Sequence, residues 1–440
     1  MQLVHLCLLY LLMMPPLAAT RALSSHLPTR TVPYQPPVWA QGVLKQVPQH
    51  GRLCLANLPT PLYRILLSGH TPFSKVLKDN SVSFFIKRDD MTGGVELGGN
   101  KIRKLEFLLA QALQENYDSV VTIGGEQSNH CRATAAAARM VGLEPHLILR
   151  SSKADDDMGL VGNILFDRMV GSSIYTCTPG EYGRVGSDEL VARLSSHLQE
   201  AQGKRPYPIP VGGSNGLGSW GYIEAVKELM TQWSSSSSSL PNDELNPSLD
   251  HIVFACGSGG TAAGIALGIA LAHDALGDGA PAMSHVHAIG VCDDPDYFYS
   301  FVADIADQMG LTLPSSMTSE QFIRQHMTVH QGKGLGYSRA TDDELEFIMD
   351  FATETGVVLD PVYSGKALYN FMQLVENDAS SYAGQNIVFW HTGGALGLFD
   401  KCDDMLSTLQ AERPCQRLDV YGKGTGLDIS KPSSSQSKGV

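Results

Sequence analysis

At 440 residues the chain exceeds one core of ordinary size and points to about two domains. Hydrophobic residues at 43% and charged residues at 18% exclude a natively disordered chain. A net charge of −13 speaks against nucleic acid as a partner.

In chain order, residues 1–50 are expected to be an unstructured targeting segment. Leu3 to Leu17 is largely apolar but too short to span a bilayer comfortably. The first acidic residue is Asp79, whereas Arg21, Arg30, Lys45, Arg52 and Arg64 precede it. The apolar start describes a secretory signal, and the acid-poor, Arg- and Ser-containing stretch describes a transit peptide. The expected destination is an organelle, the mitochondrion ahead of the plastid, with secretion as the alternative. No other stretch reads as a membrane span, so no membrane partner is expected of the mature chain.

Beyond residue 55 strands and helices alternate. Strands are predicted at 84–87, 119–123, 146–150, 173–177, 252–256, 286–291 and 386–390. Helices are predicted at 101–115, 130–141, 162–170, 188–201, 218–233, 262–275, 342–355 and 366–376. This is an α/β pattern with mostly parallel sheets. The run Ser234 to Ser239, with Pro241 and Asn242, reads as a surface insertion over 234–250. Residues 422–440, rich in Ser, Lys and Gly, read as a disordered tail. Eight cysteines are scattered without a C-x-x-C, which indicates buried thiols rather than a disulfide frame or metal site.

Five clusters carry candidate chemistry. The first is Gly98-Gly99-Asn100-Lys101, followed by Ile102, Leu105, Leu109 and Leu113 at helical spacing. It sets a primary amine at the first turn of a helix, where the dipole disfavours an ammonium. A neutral amine attacks an aldehyde; alone, such a Lys is an ordinary surface residue. The second is Gly124-Gly125-Glu126-Gln127-Ser128-Asn129-His130-Cys131-Arg132, between a strand and an Ala-rich helix. Ser128 or Asn129 serves as an N-cap there, but four consecutive polar residues at a strand end exceed what a cap needs. The strand 252–256 runs into Gly257-Ser258-Gly259-Gly260-Thr261 and then a helix, an anion site. The last two, Tyr363-Ser364-Gly365-Lys366 and His391-Thr392-Gly393-Gly394, put an aromatic ring and polar groups at further turns. Together they suit one large phosphorylated, ring-bearing cofactor.

These residues resemble the pyridoxal-phosphate enzymes of the tryptophan-synthase-β fold type. Within that group the chain is similar to the D-cysteine desulfhydrase and 1-aminocyclopropane-1-carboxylate deaminase family over roughly residues 55–405. Further motifs carry the likeness: Leu55-Ala56-Asn57-Leu58-Pro59-Thr60-Pro61-Leu62, Ile86-Lys87-Arg88-Asp89-Asp90 and Ile209-Pro210-Val211-Gly212-Gly213-Ser214-Asn215. The resemblance implies two three-layer α/β domains with the cofactor between them. The smaller domain, 108–222, would be inserted in a larger one made of 51–107 and 223–421. It implies that Lys101 forms the Schiff base with pyridoxal 5′-phosphate. It implies that Asn129 bonds the cofactor's 3′-oxygen, and that the loop from Cys256 through Gly257, Ser258, Gly259 and Gly260 to Thr261 holds the phosphate. Tyr363 would pack on the pyridine ring with Ser364 beside it, and Thr392 would reach the ring nitrogen. Ser128, Asn129 and His130 would hold the substrate carboxylate and assist proton transfer. A homodimer is also implied.

The deaminase branch resembles Tyr-Glu-Gly-Lys at 363–366 and Ser-Asn-Gln at 128–130. Here those sites read Tyr363-Ser364-Gly365-Lys366 and Ser128-Asn129-His130, so the likeness is to the desulfhydrase branch, acting on D-cysteine. Glu126 stands where relatives usually carry Ile, and a carboxylate beside the cofactor would move local pKa values. The alternatives are the deaminase itself, elimination on D-serine or β-chloroalanine, and a pyridoxal-phosphate-binding protein without turnover.

Overall fold

A computed structural model describes residues 30–237, 248–277, 283–424 and 426–431. The apolar leader within 1–29, most of the Ser-rich insertion and the last nine residues of the tail lie outside the described residues.

The residues up to Leu398 form one unit and those from Phe399 another. The first unit contains a six-stranded sheet in the order Thr328–Gln331, His285–Gly290, His251–Cys256, Asn386–His391, Ser83–Arg88, Leu62–Arg64. All neighbours run parallel except the last pair. Every residue of His251–Cys256 and Asn386–His391 is buried, the mark of parallel strands covered on both faces. Their side chains alternate between two cores. Ile252, Phe254, Val388 and Trp390 join helices Gly216–Ser237, Gly260–Asp274 and Pro295–Gln308. Val253, Ala255, Ile387 and Phe389 join helices Pro72–Asp79, Asp342–Thr355 and Ser364–Asn377.

A second, wholly parallel sheet has the order Ser173–Cys177, Glu144–Arg150, Ser119–Gly125, Pro206–Pro208. Helices Lys101–Gln114 and Asn129–Met140 cover one face, where Leu105, Leu108 and Leu109 meet Ala133, Ala136 and Ala137. Helix Ser187–Gln202 covers the other through Val191 and Leu198. In the second unit a helix, Cys402–Glu412, is followed by two short parallel strands, Leu418–Asp419 and Leu427–Asp428.

The seven predicted strands and eight predicted helices all form, each within a few residues of its expected ends. Four differences matter. Residues 30–50 are not unstructured: Ala40 and Leu44 are fully buried in the first core. Tyr34 packs edge-on against Phe107 and Trp220 at 4.9 and 5.7 Å, and the Trp220 indole donates to the Gln46 carbonyl at 2.9 Å. The helix predicted over 218–233 continues into the serine run as far as Ser237, the Ser234 and Ser235 hydroxyls bonding back to the carbonyls of Met230 and Thr231. The tail expected to be disordered from 422 includes the paired strand Leu427–Asp428. Strand Pro206–Pro208 escaped prediction because its two prolines read as breakers; it forms at a sheet edge, where a missing N–H is tolerated.

Candidate active site

Three strands of the two sheets end in glycine turns, at Gly124-Gly125, Gly257 and Gly393-Gly394. These converge on a cavity of about 310 Å³. It is lined by Lys101, Ser128, Asn129, His130, Cys256, Gly257, Ser258, Gly259, Thr261, Tyr363 and Thr392, which the sequence had singled out. Two of the expected residues, Gly260 and Ser364, do not line it.

Lys101 opens helix Lys101–Gln114. Its amine faces the cavity, and desolvation by the surrounding protein lowers its pKa from 10.5 to about 8. Enclosure is the main cause, and it makes this amine far easier to deprotonate near physiological pH than an ordinary lysine. Ser128 is the N-cap of helix Asn129–Met140, its Oγ accepting from the Cys131 N–H at 3.1 Å. Asn163 donates to Asn129 Oδ1 at 3.1 Å, which fixes that amide. His130 is turned toward the sheet. Thr122 Oγ1 donates to the Ile209 carbonyl at 2.9 Å and so accepts from His130 Nε2, also at 2.9 Å. Burial, with Lys101 and Lys104 nearby, drives the His130 pKa well below its usual value, so the imidazole is neutral.

The loop Gly257 to Thr261 runs into the N-terminus of helix Gly260–Asp274. Its glycines are sterically required. A Cβ on Gly259 (φ +75°) would come within 2.7 Å of the Phe301 ring, and one on Gly260 within 2.7 Å of Lys104 Nζ. Lys104 is a functional candidate that the sequence reading passed over. It is 1% exposed and donates to the Gly212 carbonyl and to Ser214 Oγ, both at 3.2 Å. Ser214 in turn donates to Ser258 Oγ at 2.9 Å. Burial, then repulsion from Lys101, lowers the Lys104 pKa well below normal. A helix N-terminus, turned-in backbone and a hydroxyl pair make this loop fit a phosphate. Lys101 fits an aldehyde, and Tyr363 and Thr392 fit the face and edge of a ring, so the residues present suit pyridoxal phosphate.

Tyr363 is held from two sides. Asp360 accepts backbone N–H bonds from Val362, Tyr363 and Ser364 at 2.8–3.0 Å, anchoring the start of helix Ser364–Asn377. Tyr363 Oη lies 2.8 Å from that of Tyr337, a wall residue the sequence did not flag. Lys366 fixes the Tyr337 loop by donating to the carbonyls of Lys333, Gly336 and Arg339 at 3.0, 3.1 and 2.5 Å. Ser364 is fully buried, donating to the Gly393 carbonyl at 3.1 Å with His391 Nδ1 at 3.0 Å. His391 is thus a structural residue, and Ser364 lies behind the turn that carries Thr392. Glu126 is turned away from the cavity and accepts from Ser151 Oγ at 2.7 Å.

On the far side of the Lys101 helix lies a buried ion network. Arg103 grips Asp89 with two bonds of 2.9 and 2.8 Å and reaches Glu228 at 2.9 Å. Tyr222 donates to Asp89 at 2.7 Å, and Lys87 to Glu228 and Gln232. Burial alone would raise the Asp89 pKa, yet Arg103 and Lys87 outweigh it and hold it at about 2. The network staples the start of the helix to strand Ser83–Arg88, which fixes where Lys101 stands.

Residues 55–393 match the family model described as "Pyridoxal-phosphate dependent enzyme". The chain is similar to an Arabidopsis thaliana protein named "Bifunctional D-cysteine desulfhydrase/1-aminocyclopropane-1-carboxylate deaminase, mitochondrial". The two are 48% identical over 379 residues, 86% of each chain. It is 32% identical to a "D-cysteine desulfhydrase" of Klebsiella pneumoniae, over 81% of this chain and 98% of that one. Among solved structures it is similar to one described as an ACC deaminase homologue. That match has a TM-score of 0.65 and 29% identity, covering 85% of this chain and 99% of the other.

Proposed function

The chain belongs to the pyridoxal-phosphate-dependent enzyme family, and on that premise we propose that it is a lyase that converts D-cysteine to hydrogen sulfide, pyruvate and ammonia. The observation that carries the reading is the Lys101 amine, held at about 8 in a cavity whose opposite wall is a glycine nest for phosphate. When bound, the cofactor supplies an electron sink for negative charge at the substrate Cα. The chain's own residues do the rest. Lys101 Nζ takes the Cα proton. Ser128 and Asn129 orient the substrate carboxylate at a helix N-terminus. His130, neutral and tied to Thr122, shapes that end of the pocket. Tyr363 and Tyr337 wall the reacting atoms from water. Thr392 would offer the cofactor's ring nitrogen a hydroxyl, not a carboxylate, which would suit prompt loss of a leaving group.

D-cysteine as substrate is supported by the names of the two relatives and by Ser364 and His130 at the branch positions. Deamination of the cyclopropane amino acid is the second reading, favoured by the bifunctional name of the Arabidopsis protein. Delivery to the mitochondrion is supported by that same name and by the acid-poor N-terminus. Assembly as a homodimer rests on the family resemblance.

The test is side-by-side release of sulfide and pyruvate from D-cysteine and L-cysteine, and of ammonia and 2-oxobutyrate from the cyclopropane substrate. The protein used should begin near residue 30, since residues 30–50 are part of the fold. Sulfide from D-cysteine well above L-cysteine is the expected result. Dominant 2-oxobutyrate with little sulfide would replace the lyase reading with the deaminase one.

A further inference from the structure

Arg150 ends strand Glu144–Arg150 and lines the cavity. Its guanidinium lies 4.8 Å from the ring centre of Tyr182 and 5.4 Å from that of Tyr337. Aromatic faces hold a guanidinium without consuming its N–H donors. Among the described residues no carboxylate pairs with Arg150, and its side chain makes no hydrogen bond. The other cations of the region are committed. Arg132 donates to Asn163 Oδ1 and to the carbonyls of Glu96 and Gly98. Lys104 is held by Gly212 and Ser214, and Lys101 is the reacting amine. Arg150 therefore brings the one uncommitted set of cationic donors among the described residues of the cavity wall. From it the wall is continuous through Tyr337 to Tyr363, whose hydroxyls touch.

We propose that Arg150 receives the departing sulfur. This rests on the lyase reading above. As Lys101 Nζ takes the Cα proton, the pair from the Cα–H bond becomes the Cα=Cβ double bond. The Cβ–S pair leaves with the sulfur as hydrosulfide, and no oxidant or reductant is needed. The negative charge that grows on sulfur meets the in-plane N–H edge of the guanidinium, fixed in place beforehand by the two tyrosines. Hydrosulfide is the more basic leaving group and gains most from such help. Chloride leaves readily without it.

The holoenzyme and its Arg150→Gln variant are compared on D-cysteine and β-chloro-D-alanine, with cofactor absorbance as the check of an intact site. Arg150→Gln should lower kcat for D-cysteine about 100-fold and kcat for the chloro substrate by less than about fivefold. Arg150→Lys, which keeps the charge in a milder replacement, should shift the same ratio part of the way. An equal loss on both substrates, or an unmoved ratio in both variants, overturns the assignment. A wild-type protein that eliminates chloride yet releases no sulfide from D-cysteine removes the lyase reading, and the role of Arg150 with it.

Discussion

The helix that begins at Lys101 separates two buried populations of charge, and they are handled in opposite ways. On one side Arg103, Asp89 and Glu228 are paired at 2.8–2.9 Å, and each is held in its charged form. On the other, Lys101, Lys104 and His130 have no carboxylate partner among the described residues, and burial pushes all three toward neutrality. Paired charges build a scaffold that does not titrate in the working range. Unpaired amines give nucleophiles and bases. The helical period accomplishes the sorting: Arg103 points to the first side, while Lys101 and Lys104, three residues apart, point to the second.

Breaking the reactive side should have the largest effect. Lys101→Ala should lower sulfide release by on the order of 10³-fold or more and remove the visible absorbance of the lysine-bound cofactor. A variant that kept that absorbance would show that another amine carries the cofactor. Breaking the scaffold should cost stability instead. Arg103→Met strands two buried acids and should destabilise the protein by about 3–5 kcal/mol in chemical denaturation. Lys104→Met, at the next residue and equally buried, strands no carboxylate and loses only its hydrogen bonds to Gly212 and Ser214, and should cost about 1 kcal/mol. If the two losses were equal, the contrast between the sides would be false.

Putting an acid near the unpaired side sharpens the comparison further. Ser364→Glu should move the ratio of deamination to desulfhydration upward by about tenfold, read from 2-oxobutyrate and sulfide in parallel. An unmoved ratio would mean that position 364 does not choose the reaction. The smallest effect is in pH. A lysine whose pKa is lowered to about 8 is protonated below that value and neutral above it. Cofactor capture by the apoprotein should therefore climb through about pH 8 and level off above it. A rate still climbing near pH 10, as for an ordinary lysine, would show an exposed amine.

The reactive side was the more legible of the two in sequence. Lys101, Ser128 and the 257–261 loop sit beside glycines, and glycines before a helix are a local signal. The scaffold was hidden because its members come from distant segments. Glu228 lies 125 residues beyond Arg103, and nothing near either one announces the other. Lys104 was missed for a similar reason, since it reads as one more helix-surface lysine until Gly212 and Ser214 are folded over it. Arg150 reads as the last residue of a strand, and the rings that frame it come from residues 182 and 337. The strand periodicity of the core was clear because parallel strands buried on both faces are continuous apolar runs.

The docked segment 30–50 has a consequence for how the chain comes together. Its anchors are far downstream: Trp220 lies 174 residues beyond Gln46, Glu224 lies 190 residues beyond Tyr34, and Leu44 bridges to Leu311. A chain emerging from the ribosome or threading through a pore N-terminus first presents residues 30–50 long before those anchors arrive. The segment therefore closes late, as contacts of high sequence separation do. Until it closes, residues 30–50 themselves stay open to receptors and proteases, and this late step of folding is the one that withdraws them.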